Sequence, residues 1–246
     1  MLVGRGRHLW KQCDMGRVVE MAWPCHITPR RSMVNFYEIF SKEKREEGRK
    51  RLREELKRGH FDDFKQLRDT GGKLFQGSAS LTPTSVSERF PSVVVSTSDG
   101  QEGVLRTEGK GAVLVCAACR DGAQPMIDRW ATAFDDALCD KDGVGIVELS
   151  IVDSKIMSLW PFRRMLYAQQ SGFDGKYKMD DAQSVFLFSG KEGYQNILGM
   201  MDNKLTGYVF LLDRDGRIRW RGCGFPTEEE VRWLVSGAET LLRKGT

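Results

Sequence analysis

Residues 111–138 read GAVLVCAACRDGAQPMIDRWATAFDDAL, and no other stretch restricts the fold so strongly. Ala112 to Ala118 is a continuous run of small and β-branched apolar residues with a Gly-rich flank before it and a charged one behind. A strand buried on both faces of a parallel sheet reads this way. The chain turns through Arg120-Asp121-Gly122. Met126, Ile127, Trp130, Phe134 and Leu138 then recur at helical spacing, with Pro125 in a first turn that tolerates it. Inside this βα unit lies Cys116-Ala-Ala-Cys119, and a C-x-x-C beside a βα pattern is the arrangement of a dithiol redox site. Either the chain is an oxidoreductase, or it uses the same kind of body for another purpose.

Several other chemistries find no residues to support them. The chain has 246 residues, 40% of them apolar, enough for a proper core. No window holds the roughly 20 apolar residues of a membrane-spanning helix, so any membrane association is expected to be peripheral or through a partner. The six cysteines (13, 25, 116, 119, 139 and 223) are scattered and only one pair has motif spacing, which argues against a disulfide framework. The net charge of +4 resides in residues 1–33, which carry six Lys/Arg against two acids. The remainder is neutral by count, and nucleic acid is not an expected partner. All three histidines, His8, His26 and His60, precede the main domain, leaving no imidazole for a nucleophile-base pair and no Cys/His cluster for a metal. Asp213 and Asp215 flank a turn, and Gly109-Lys-Gly111 precedes a strand rather than a helix, so it is no phosphate loop. No catalytic residue, metal or cofactor is expected.

The organisation follows from composition shifts. Residues 1–33 interleave Arg5, Arg7, Lys11, Arg17, Arg30 and Arg31 with apolar residues, the pattern of a mitochondrial transit peptide or of a disordered basic tail. Residues 34–72 form a charged helical arm. Within 41–70 the apolar residues are Leu52, Leu56, Phe61, Phe64 and Leu67, one narrow seam with a break expected near Gly59. Such an arm is either packed or a surface for a partner. Residues 73–89, with a Ser/Thr/Pro-rich run from Gln76 to Ser87 following Gly71-Gly72, read as a linker. Residues 90–246 make the main domain. A hairpin near Val93–Val95 and Val104-Leu105 precedes the strand at 112–118, and a second strand follows at 144–152. A helix interrupted at Pro161 comes next, then a strand at 184–188, a short helix at 194–201, a hairpin over 207–213 and 217–222, and a last helix behind the N-cap Thr227.

This order is that of an α/β thioredoxin-like fold in its peroxiredoxin-like form, and GAVLVCAACRDGAQPMIDRW and GYVFLLDRDGRIRWRGCG carry the similarity. More finely, RLREELKRGHFDDF, VLVCAACRDGAQPMIDRW, LWPFRRML, LTGYVFLLDRDGRIRWRGCGFPTEEEVRWL and the Arg-rich N-terminus resemble the mitochondrial ATP synthase assembly factors of the ATP-ten type, from about Met33 to Leu242. The resemblance implies a non-catalytic, matrix-side protein peripheral to the mitochondrial inner membrane. Such a protein assists incorporation of the proton-channel subunit 6 (a) into the ATP synthase.

A working dithiol sits at the N-terminus of its helix, where exposure and the helix dipole lower the thiol pKa. Extending the strand without gaps, as oxidoreductases of this fold do, puts the two catalytic positions at Gly122 and Pro125. Cys116 then lies inside the buried run and Cys119 at its exit. The cis-proline that faces such a dithiol belongs near Gly207, and no proline falls between Pro161 and Pro226. The pair is therefore expected to be packing groups. The rival reading is a mitochondrial thiol oxidoreductase or peroxidase that uses Cys116 and Cys119. For partner contact two clusters stand out. Trp160, Pro161, Phe162, Arg163 and Arg164 have the aromatic-arginine composition of binding hot spots. Arg217, Arg219 and Arg221 alternate with Ile218 and Trp220, so alternation puts the three arginines on one face, as a binding surface or as a solvated one balanced by Glu228, Glu229 and Glu230.

Overall fold

The computed structural model describes residues 61–119, 121–154, 157, 159–169, 173 and 175–244. All belong to one compact unit, Lys50–Thr246. The expected targeting segment 1–33, the break near Gly59 and the seam residues Leu52 and Leu56 lie outside the described residues.

Seven strands form one sheet: β1 (Val94–Thr97), β2 (Glu102–Val104), β3 (Ala112–Ala118), β4 (Val144–Val152), β5 (Ala182–Phe188), β6 (Tyr208–Asp213) and β7 (Ile218–Cys223). Their order is β2-β1-β5-β4-β3-β6-β7. β3, β4 and β5 are parallel, while β6 and β7 complete one side and β1 and β2 the other by antiparallel pairing. The helices are α1 (Phe61–Thr70), α2 (Gln124–Leu138), α3 (Trp160–Gln169), α4 (Tyr194–Leu198) and α5 (Glu228–Lys244). A βαβαβ half joined to a ββα half across the central strand is the thioredoxin-like topology in its peroxiredoxin-like form.

β3 sits between β4 and β6 with every residue buried, which is why its sequence is apolar without alternation. On one face α2 and α5 bury Ile127, Trp130, Phe134, Leu138, Leu234 and Ala238 against Leu114, Ile146 and Leu211. The other face packs Phe90, Val93, Tyr194 and Ile197 on Val115, Leu149 and Phe210. Helix α5 begins with a reciprocal capping box: the Glu230 amide donates to Thr227 Oγ1 (3.3 Å) and the Thr227 amide donates to Glu230 Oε2 (3.0 Å).

The stretch 73–89, expected as a linker, is instead a strap along β7. Thr82 N–H donates to Arg219 O (2.7 Å), Ile218 N–H to Glu88 O (2.8 Å) and the indole of Trp220 to Ser78 O (2.6 Å). Gly77 lies against the Trp220 ring, where a Cβ would come within 2.2 Å of it. The strap occupies the sheet edge that a bare β7 would leave unpaired. Its polar composition, with the single Gly77 set against the indole, serves main-chain pairing and close approach rather than freedom.

Candidate functional site

The position that would carry redox chemistry is at the start of α2, and it holds none of the needed groups. Gly122 and Pro125 are exposed on the 3-10 turn Asp121–Ala123 and the first turn of α2. Facing them, Gly207 packs so closely that an added Cβ would meet Ile127 Cγ2 at 2.7 Å and Ala123 O at 3.2 Å. Gly72 closes the same region, its carbonyl accepting from Thr206 Oγ1 (3.1 Å). The position facing the helix start is thus a close-packed glycine rather than a proline, while at Gly122 itself an added Cβ would meet nothing within 4 Å.

Cys116 and Cys119 are three residues apart along a strand path, which places them on opposite faces of the sheet. Cys116 is fully buried in the α2 and α5 face, and Cys119 packs against the other core, its Sγ 3.7 Å from Met201 Sδ. Side chains that diverge in this way cannot meet in a disulfide without moving backbone. Burial pushes the Cys116 thiol well above its ordinary pKa, and the carboxylate of Glu148 adds to the effect. It is held as a neutral thiol, the opposite of an activated nucleophile. Cys116→Ser with Cys119→Ala is expected to cost about 1–3 kcal/mol, because a hydroxyl enters an apolar strand. Respiratory growth should persist wherever the protein accumulates, and loss of growth at normal abundance would return the pair to chemistry.

A group that motif reading passed over lies beside Cys116. Glu148, only 4% exposed, is its register partner in β4. It accepts hydrogen bonds from the Tyr177 hydroxyl, from Lys176 Nζ (2.5 Å) and from Gln124 Nε2 (3.1 Å). Lys176 also reaches Asp128 (2.8 Å), and its pKa is raised: burial lowers it, but the two carboxylates outweigh that effect. One helical turn pair further on, buried Asp135 accepts the amides of Lys178 (2.8 Å) and Met179 (2.9 Å). The two acids pin segment 176–179 to α2 and β4. The sequence signal was an acid inside the apolar strand VGIVELSIV, which demands a buried partner.

The two arginine clusters divide differently from the expectation. Trp160 opens α3, Pro161, Phe162 and Arg164 are exposed, and Leu159 (56%) and Met165 (50%) add apolar surface beside Phe162 (38%). Arg163 turns inward: it pairs with Glu102 of β2 at 2.9 Å and stacks its guanidinium over the Phe188 ring at 4.2 Å. In the hairpin, a β-bulge pairs Leu211 with Trp220 and Leu212 with Ile218, leaving Arg219 as the inserted residue. Ile218 and Trp220 consequently enter opposite cores, and the three arginines do not share one solvated face. Arg219 is buried at 7%, bonded to Asp213 (3.0 Å) and Thr82 O (2.7 Å). Arg217 donates to Ser87 O (2.8 Å), and Arg221 alone is exposed, near Glu88 at 3.3 Å. The counter-charges are therefore Asp213 and Glu88, while Glu230 is buried under the strap.

What these features define is a thioredoxin-like body whose redox position holds Gly-Ala-Gln-Pro in place of a dithiol. The family model of the ATP10 protein matches residues 15–241, and the chain belongs to that family. It is 25% identical over 224 residues to the mitochondrial ATPase complex subunit ATP10 of Saccharomyces cerevisiae, covering 80% of this chain and 75% of that one. A probable mitochondrial ATPase complex subunit atp10 of Schizosaccharomyces pombe is 24% identical over 213 residues, covering 81% and 71%. Among solved structures, a peroxiredoxin-like protein from Aquifex aeolicus aligns with 68% of this chain and 99% of its own, at 16% identity and a TM-score of 0.41.

Proposed function

We propose that this protein is a non-enzymatic assembly chaperone of the mitochondrial ATP synthase that assists incorporation of the proton-channel subunit 6 (a) into the membrane sector. It works from the matrix side, in peripheral contact with the inner membrane. The observation that carries this reading is the divergence of Cys116 and Cys119 to opposite faces in a fold whose redox position holds Gly122 and Pro125 instead of thiols. A body kept without its dithiol acts by binding, and family membership supplies the complex on which it acts. Among the described residues no helix is long and apolar enough to cross a membrane.

The client surface we assign is the outer side of α3, Pro161, Phe162 and Arg164 together with Leu159 and Met165, with Trp160 at its start. An exposed aromatic flanked by apolar side chains and one cation suits an apolar polypeptide near an anionic lipid surface. Phe162→Glu combined with Arg164→Glu is expected to change stability by no more than about 0.5 kcal/mol, since both side chains are exposed. The same variant should reduce proximity crosslinking to subunit 6 several-fold in isolated mitochondria. Undiminished crosslinking in a variant of normal abundance would remove α3 as the client surface. Arg163→Glu is a different experiment, because it breaks the contacts with Glu102 and Phe188.

A further inference from the structure

Helix α1 is seated lightly on a surface that is built to hold a polypeptide. Among its described side chains only Asp63 and Leu67 are half-buried, and Phe64, expected in the apolar seam, is 64% exposed. The receiving side is the opposite. Asn203 and Thr206 are both fully buried. Asn203 Oδ1 accepts the Leu205 amide (2.8 Å) and its backbone amide donates to the Tyr208 hydroxyl (2.9 Å), which fixes the side chain. Its Nδ2 then donates to the main-chain carbonyl of Asp63 (2.9 Å) and to Gln66 Oε1 (3.0 Å). Thr206 Oγ1 donates to the main-chain carbonyl of Gly72 (3.1 Å), and Leu67 and Met126 come together over Gly72.

Two of these three polar contacts read main-chain carbonyls, so they do not depend on the sequence of the segment they hold. What is specific is one leucine set over Met126 and one side-chain carbonyl immediately before it. The attachment changes abruptly at Gly71 and Gly72, which have φ of 62° and 86°. Beyond them Lys73 is bonded to buried Glu230, and the amides of Leu74 and Phe75 donate to Cys223 Sγ (3.3 and 3.4 Å). A firmly anchored strap thus meets a lightly seated helix at a pair of left-handed glycines, the backbone position most permissive of a hinge.

We propose that the 203–206 loop with Met126 is a polypeptide-binding site, filled by the chain's own α1, which exchanges for a short amphipathic helix of a client protein carrying a Gln-Leu or Asn-Leu pair. The identity of that client rests on the assembly reading, but the site itself does not. Because α1 is tethered, it competes at high effective concentration, and a free helix binds only in proportion to the open fraction.

The test uses the full chain and a fluorescent peptide of residues 61–72, FDDFKQLRDTGG. Leu67→Asp, which unseats α1 without touching the receiving residues, is expected to bind the peptide at least about tenfold more tightly than the unaltered chain. Adding Asn203→Ala should abolish the gain. Hydrogen exchange should show fast α1 amides in Leu67→Asp while α2 and β3 stay protected. Unimproved peptide binding with α1 released and the core protected overturns the proposal. So do α1 amides that stay as protected as β3 in Leu67→Asp. If Leu67→Asp loses core protection, Gln66→Arg, which removes an acceptor from an exposed position, takes its place with the same criteria. No ATP synthase component enters this measurement, so its failure leaves the subunit 6 crosslinking result standing, and the converse holds equally.

Discussion

Arg219→Ala is expected to destabilise the protein by about 3–5 kcal/mol, the cost of leaving one partner of a buried ion pair alone. In a chain of this size that corresponds to a fall in Tm of roughly 6–20 °C. The guanidinium bonds Asp213 Oδ2 at 3.0 Å on one side and the Thr82 carbonyl at 2.7 Å on the other. Its loss strands a carboxylate that is 8% exposed and whose other oxygen already serves the amides of Asp215 (3.1 Å) and Arg217 (3.0 Å). It also frees the strap from the bulge of β7. Arg221→Ala is the internal control: its pair with Glu88 is exposed, and the expected loss is under about 1 kcal/mol. Urea midpoints of the two variants make the comparison. A near-native midpoint for Arg219→Ala together with weakened client crosslinking would restore that arginine to the partner surface.

The same hairpin shows where sequence reading reaches its limit. Arg217-Ile-Arg-Trp-Arg221 satisfies strict alternation, and an inserted residue leaves no mark on such a pattern. The bulge is set by the twist of β7 against β6 and by the Asp213 carboxylate that receives the guanidinium, both of which are tertiary. The composition of strap 73–89 points away from its packing for a related reason. Gly, Ser, Thr and Pro suit a solvated linker, and they also suit a segment that pairs through its main chain and lets Gly77 touch an indole. The distinguishing contacts span over a hundred residues. By contrast, β3, α2 and the cap of α5 were legible because their causes are local: a two-sided burial pattern, a 3.6-residue period, and Thr227 three residues before Glu230. The redox position was readable by register alone, since Gly122 and Pro125 stand where thiols would be needed. Arg163 shows the converse case. Composition placed it in a hot spot, but only the fold reveals Glu102 and Phe188 within its reach.

Glu230→Ala should be comparably damaging, about 3–5 kcal/mol near pH 7, because Glu230 is fully buried and serves three elements at once. Its carboxylate pairs with Lys73, accepts the Gly77 amide at 2.7 Å and caps α5 through the Thr227 amide at 3.0 Å. Burial by itself raises the pKa, but the Lys73 ammonium and the Gly77 and Thr227 donors outweigh it and hold the carboxyl below its ordinary value. A group with a depressed folded pKa contributes stability that is complete above the unfolded value of about 4.3 and is lost as the pH falls through the folded one. The advantage of the unaltered chain over Glu230→Ala is therefore expected to be widest near neutrality and to narrow below about pH 4. Parallel urea titrations across that range measure it, and a gap independent of pH would mean that Glu230 acts by packing alone. Glu230 anchors the start of the strap together with Cys223, so losing the acid loosens the cover over the edge of β7, and an uncovered edge strand pairs with its neighbours in solution. Glu230→Ala should accordingly gain concentration-dependent association that Arg221→Ala, with its strap intact, does not show.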